Sequence, residues 1–428
     1  MAEAASPIAV RVRHVGGAPI VAIRILFAGG SRAESIPGQA LLAGRALAEG
    51  TLRRDHRRLA DEAEARGMIL ASFGGLEYHG VGVDALADQW EEALERALEL
   101  VFEPSFPEDR LRVLARQAAA ELEAQEDQAD LATARAFSAQ LYGEHAKGRP
   151  LQGSAASLAR ITREDCLGFH RARLAGYGVA AIAGPIPESA VAARLRALLP
   201  PPIERLPAVA PVALPLDPAP RREIVTRARD QAHLFLGQLT VDRAHPDFPA
   251  LEVLSVILGA GSGLTGRIPL RVRERDGLAY TASAEAVAGA GLDPGRLVAY
   301  VGTAPANLER VEAAMRDELD RLLAEGTSEE EVAEAKAFLA GREPFRRETA
   351  RQWADLMANA ELYGLPLDDP AASLAEIRDV ERAAVDEAAR RHLDAGRLVV
   401  TIGRPRGVAD GGGDPEADEG GAEFAEEP

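Results

Sequence analysis

The sequence predicts an α+β fold made of two homologous domains, each an antiparallel or mixed β-sheet with helices packed on one face. Three observations carry that prediction. A proline-rich stretch, Pro200 to Pro220, holds eight prolines and divides the 428 residues into two halves of similar length. Proline removes backbone donors and forbids a continuing helix, so this stretch reads as an extended linker. Both halves then run through the same order of patterns: an alternating strand-like run, several helices, and a final β-run. Recurrence of one order at such spacing is the mark of an internal repeat.

The first half opens with "IVAIRILFAGG" (Ile20–Gly30), an apolar run of strand character. "GQALLAGRALAEGT" (Gly38–Thr51) follows as a short apolar helix entered after a turn and closed by glycine. "QWEEALERALELVF" is amphipathic at helical period and "EDRLRVLARQAAAELEAQED" is an acidic helix. "CLGFHRARLAGYGVAAIAGPI" closes the half as a helix and a β-run. The second half repeats the order with "QAHLFLGQLTV" (Gln231–Val241), "LERVEAAMRDELDRLLAEG", "SEEEVAEAKAFLAGR" and "VDEAARRHLDAGRLVVTIGRP". The predicted boundaries are residues 1–199 for the first domain, 200–221 for the linker, 222–404 for the second domain and 405–428 for a tail. The last 24 residues carry eight acids and one arginine, are rich in glycine and are almost devoid of core-forming residues, which predicts disorder.

The net charge is −18, which opposes non-specific nucleic-acid binding. The sequence has no 18-residue apolar run and no basic segment leading into an apolar one. The expectation is a protein with neither nucleic-acid nor membrane partners, cytoplasmic, or periplasmic if a leader has been removed. One cysteine, Cys166, sits in a helix with a capping-box start at Thr162 and reads as a buried structural thiol. The eight histidines are His14, His56, His79, His145, His170, His233, His245 and His392. None forms an H-x-x-H or H-x-x-x-H pair, so spacing predicts no metal site in this chain.

The stretches "GSRAESIPGQALLAGRALAEGT", "EPSFPEDRL", "DRAHPDFPALEVLSVILGAGSGLTGRIPLRVRERDGLAY" and "AELYGLPLDDP" follow one another in the chain. In that order they resemble the pitrilysin/insulinase family of zinc metallopeptidases. The resemblance runs from about residue 8 to 404 and points to the short bacterial branch, in which one polypeptide is half of the working enzyme. Mitochondrial processing peptidase subunits belong to the same clan. Catalytic relatives carry H-x-x-E-H on the first helix, where two His at i and i+4 hold zinc and the Glu is the general base. Here the resemblance aligns those positions with Leu41, Gly44 and Arg45, and the downstream Glu ligand with Glu121. Leu41 has no donor, Gly44 no base, and Arg45 is a permanent cation. Glu121 is either a solvated acid or the ion-pair partner of Arg45.

The resemblance implies a different fate for the second half. Arg273 and Tyr280, seven residues apart in "LRVRERDGLAY", match an Arg and a Tyr that bind the substrate backbone and stabilise the oxyanion. On spacing alone, Arg273 reads as a solvated helix end and Tyr280 as a core residue. The glycine turn at Gly259, Gly261 and Gly263 is expected to form a substrate-binding loop. The implied protein is the non-catalytic subunit of a heterodimeric zinc peptidase acting on peptides or small unfolded proteins. It binds no cofactor itself, and the zinc belongs to a sister subunit. Alternatives are a purely structural core-protein-like subunit, or a homodimeric peptide-binding module.

Overall fold

The computed structural model describes residues 8–199, 214, 221–227, 231–261, 265–365 and 370–405. The expected linker, apart from Leu214 and Arg221, and the expected tail beyond Pro405 lie outside the described residues, as does Gly263.

The repeat is present strand for strand. In the first half, β1 (Ile8–His14), β2 (Ile20–Ala28), β3 (Ile69–Gly74), β4 (Tyr78–Leu86) and β5 (Gly178–Gly184) form a sheet in the order β1-β5-β2-β4-β3. In the second, β6 (Arg222–Arg227), β7 (Ala232–Leu239), β8 (Ala279–Ala288), β9 (Arg296–Thr303) and β10 (Val399–Pro405) form a sheet in the order β6-β10-β7-β9-β8. One parallel pair, β1 with β5 and β6 with β10, sits at the same place in each, and every other pairing is antiparallel. The two sheets therefore have one topology. The hairpins β3–β4 and β8–β9 add two strands to each half that the strand–helices–strand reading does not contain.

The central strands β2, β5 and β7 are buried along nearly their whole length. A strand with one wet face alternates, so continuous burial means both faces are covered. On one face, each half packs its own helices. The Gln39–Ala46, Trp90–Phe102 and Glu108–Glu126 helices bury Leu42, Leu94 and Leu111 with Val21, Ile23 and Ile25 of β2. The Phe248–Ser255, Leu308–Glu325 and Arg382–His392 helices do the same for the second sheet.

On the other face the halves exchange helices. The Ala350–Tyr363 helix of the second half lays Trp353, Ala354, Met357 and Ala358 on Ala22 and Leu26 of β2 and on Val179, Ala181 and Ala183 of β5. The Ala129–Tyr142 helix of the first half lays Phe137, Leu141 and Tyr142 on Phe235 and Leu239 of β7 and on Val399 of β10. Alanine dominates the first contact, which lets helix and sheet backbones approach closely. Polar clasps reinforce the exchange. Arg24 of β2 donates to Asp84 at 2.8 Å and to Asp355 of the exchanged helix at 2.6 Å. Arg32 donates to both oxygens of the fully buried Asp293 at 2.5 and 2.8 Å. A buried pair of this kind is satisfied only when the two halves are docked, and removing one partner would strand a buried charge.

Candidate functional site

The Gln39–Ala46 helix begins at Gly38, whose φ of 92° lies in the left-handed region. Gln39, Ala40, Leu41, Leu42, Ala43, Gly44 and Ala46 are all buried. This element is hydrophobic nearly all round because it is wedged between β3 and other helices. Leu41 is 5 % exposed and belongs to the first core. Gly44 meets β3 backbone to backbone: a Cβ placed there would lie 2.3 Å from the Gly74 nitrogen and 2.4 Å from the Phe73 oxygen. Gly74 is bound by the same contact, since its own Cβ would lie 2.1 Å from the Ala40 oxygen. Two glycines thus set the helix-to-strand distance, and no side chain fits at either position without moving backbone.

Arg45 reaches out from this helix and forms a bidentate ion pair with Glu121. Its Nη1 and Nη2 each donate at 2.9 Å, one to each carboxylate oxygen. Of the two states the sequence allows for Glu121, the paired one is observed. The planar fork matches the carboxylate geometrically. Both side chains remain partly exposed, at 29 % and 42 %, so the pair contributes at most about 1 kcal/mol. The donor set Leu41, Gly44, Arg45 and Glu121 does not fit a zinc ion: it offers one carboxylate, and a guanidinium already holds it.

In the second half, a wide helical turn, Val256–Ala260, ends the helix that begins at Phe248. Gly259 has φ 153° inside this turn, and a Cβ there would lie 2.9 Å from Pro269 Cδ and 3.0 Å from the Ala284 nitrogen of β8. The close approach at Gly259 is to the protein's own backbone. Gly261 is looser, with Thr265 Oγ1 at 3.2 Å from a Cβ placed there.

Arg273 lies on the wide turn Leu270–Arg275 and pairs with Glu274 at 3.0 Å. Tyr280 is 94 % exposed, so the core-packed alternative for it is overturned. The cause is local. On β9, Thr303 pairs with Ala279 and Gly302 with Thr281, which makes Tyr280 the extra residue of a β-bulge. A bulge re-aims a side chain, here outward from the edge strand of the sheet. Arg273 and Tyr280 line one open cleft of about 720 Å³, with Gly277, Leu278, Thr303 and Asn307 around them. The fold brings both to one cleft, the juxtaposition that the family resemblance implies.

Cys166 is fully buried, and burial pushes its thiol up to about 12, which leaves it unreactive near neutrality. His79 and His170 meet in the first core, Nε2 to Nδ1 at 2.7 Å, and His170 also bonds the Val101 carbonyl at 2.7 Å. Burial drives both below the ordinary histidine range, His170 to about 4. Both are neutral packing residues. Sequence spacing misses a different grouping: His245, Asp247 and His392 come together from segments far apart in the chain.

Known proteins match across both halves. The insulinase family, peptidase family M16, matches residues 10–155, and the peptidase M16 inactive domain matches residues 160–339. A Mycobacterium tuberculosis protein named an uncharacterized zinc protease is 28 % identical over 389 residues, covering 88 % of this chain and 86 % of that one. A Helicobacter pylori protein named a non-peptidase homolog is 22 % identical over 393 residues, covering 90 % and 89 %. The solved structure of a peptidase M16 inactive domain from Pseudomonas fluorescens aligns with a TM-score of 0.83 at 26 % identity, over 93 % of this chain and 96 % of that one. With both halves matched in order and one sheet topology repeated, the chain belongs to the pitrilysin/insulinase family, peptidase family M16.

Proposed function

We propose that this chain is the non-catalytic subunit of a two-chain zinc peptidase. One observation carries the reading: the first-half helix is filled and closed where catalytic relatives hold zinc, while the second half presents Arg273 and Tyr280 on an open cleft. A sister chain of the same family supplies the zinc and its H-x-x-E-H helix. This chain supplies donors. The Tyr280 hydroxyl, thrust out by the bulge, and the Arg273 guanidinium donate hydrogen bonds to the carbonyl oxygen of the scissile peptide and strengthen as charge develops on it. The substrate is an extended peptide or unfolded segment. Strand β8, which carries Tyr280, stands at the edge of its sheet, the kind of edge to which such a segment adds a strand.

The experiment is cleavage of a quenched fluorescent peptide by this chain alone, by a zinc-motif relative from the same genome alone, and by the two mixed. Activity that requires the mixture supports the proposal. Chelator-sensitive cleavage by this chain alone overturns it. A stable complex whose activity equals that of the zinc-bearing chain alone would make this chain a purely structural subunit.

A further inference from the structure

The second half carries a cluster that the peptidase reading does not use. The loop after β7 ends at Asp247, which precedes the Phe248–Ser255 helix, and it returns there to the last residue of the Arg382–His392 helix. His392 Nε2 lies 2.7 Å from Asp247 Oδ2, and His245 Nδ1 lies 4.0 Å from the same oxygen. The two imidazole rings stand perpendicular with centroids 5.1 Å apart. One donor atom from each residue falls within 4.8 Å of the others, the only such grouping among the described residues.

We propose that His245, Asp247 and His392 form a binding site for zinc or another late first-row divalent ion. Donors on one zinc lie about 3.4 Å apart when the metal–ligand bonds are about 2.1 Å. Closing from 4.8 Å therefore needs up to about 1.4 Å of side-chain movement. The side chains are 34 %, 19 % and 16 % exposed, so they have room for it. His245 gives up the hydrogen bond its Nδ1 accepts from the Asp247 amide at 3.1 Å. Two imidazoles and one carboxylate, with the remaining positions open to water, select zinc, nickel or cobalt over magnesium and calcium, which prefer all-oxygen shells.

Arg391 explains how the site is held without metal. Its Nη1 sits 2.6 Å from Asp247 Oδ2, a cation where the metal's charge would fall. Its side chain is 51 % exposed, and its other nitrogen is already paired with Glu387. An arriving ion displaces the guanidinium toward Glu387 and takes over the carboxylate. The ion would then tie the end of one helix to the start of another.

The test uses the untagged full chain, stripped with chelator and titrated with zinc against a chromophoric competitor. The wild type is expected to bind one equivalent. H245Q and H392Q should each weaken binding at least about tenfold, the low end of what even outer-shell changes cost. Magnesium should not compete. R391Q should bind zinc several-fold more tightly, an outcome that a mere hydrogen-bonded brace does not produce. A wild type that binds no zinc, or an H245Q/H392Q double variant that binds it as well as wild type, overturns the site. Equal or weaker binding by R391Q overturns the role given to Arg391. Circular dichroism confirms folding of each variant, and H245Q, at a partly exposed residue of the loop, remains informative if H392Q does not fold.

Discussion

The two halves share one topology and differ in what surrounds the corresponding edge strand. In the first half, the helix beside edge strand β3 is locked: Gly44 against Gly74, Leu41 in the core, Arg45 on Glu121. In the second half, the turn beside edge strand β8 is open: a bulge exposes Tyr280 over a cleft that Arg273 also lines. A duplicated fold leaves each copy free to lose or keep a task. At Gly44 there is neither a carboxylate nor the room for one.

The contrast is broken or sharpened most strongly by turnover. In the assembled peptidase, R273A and Y280F should each lower kcat by about 10²- to 10³-fold, the usual cost of losing an oxyanion donor. R45A should leave turnover unchanged. Equal losses in both halves would erase the distinction. Stability gives the next effect. Gly44→Ala should destabilise the chain by about 1–3 kcal/mol through forced backbone movement, whereas Gly261→Ala should cost well under 1 kcal/mol, as read from urea midpoints. The triple change L41H/G44E/R45H should therefore unfold the helix contact before it can hold zinc.

The smallest effect is the response to acid. His79 and His170 are neutral in the folded first half because burial lowers both, His170 to about 4. Unfolded histidine titrates near 6.5, so between about pH 6.5 and 4 the unfolded chain takes up protons that the folded chain refuses. Stability should be fully present above pH 6.5 and fall as the pH drops toward 4. Urea unfolding at pH 7, 6 and 5 measures the slope, and His170→Gln should flatten it. A slope unchanged by that substitution would place the acid sensitivity elsewhere.

The parts of this molecule legible in the sequence are those set by local order. The recurring patterns gave the repeat, whereas Arg45, Glu121, Arg273 and Tyr280 were reached only through the family resemblance. The hairpin strands were hidden by composition. β4, "YHGVGVDAL", carries Gly80 and Gly82, which strand propensity disfavours. The fold needs Gly80, because a Cβ there would lie 2.1 Å from the Ile25 oxygen on β2. The helix exchange and the His245–Asp247–His392 cluster are hidden for another reason. They are contacts between segments about ninety or more residues apart, and no period or spacing encodes such a meeting.

The exchange of helices also sets a timetable for synthesis. The outer face of β2 and β5 is complete once residue 184 has been made, but the helix that covers it begins at Ala350. About 165 residues must be translated in between, roughly 10–30 s at ordinary rates of elongation. For that interval the nascent first sheet lacks the helix that covers this apolar surface. The same arithmetic makes a chain interrupted before Ala350 a poor folding unit, however complete its first sheet.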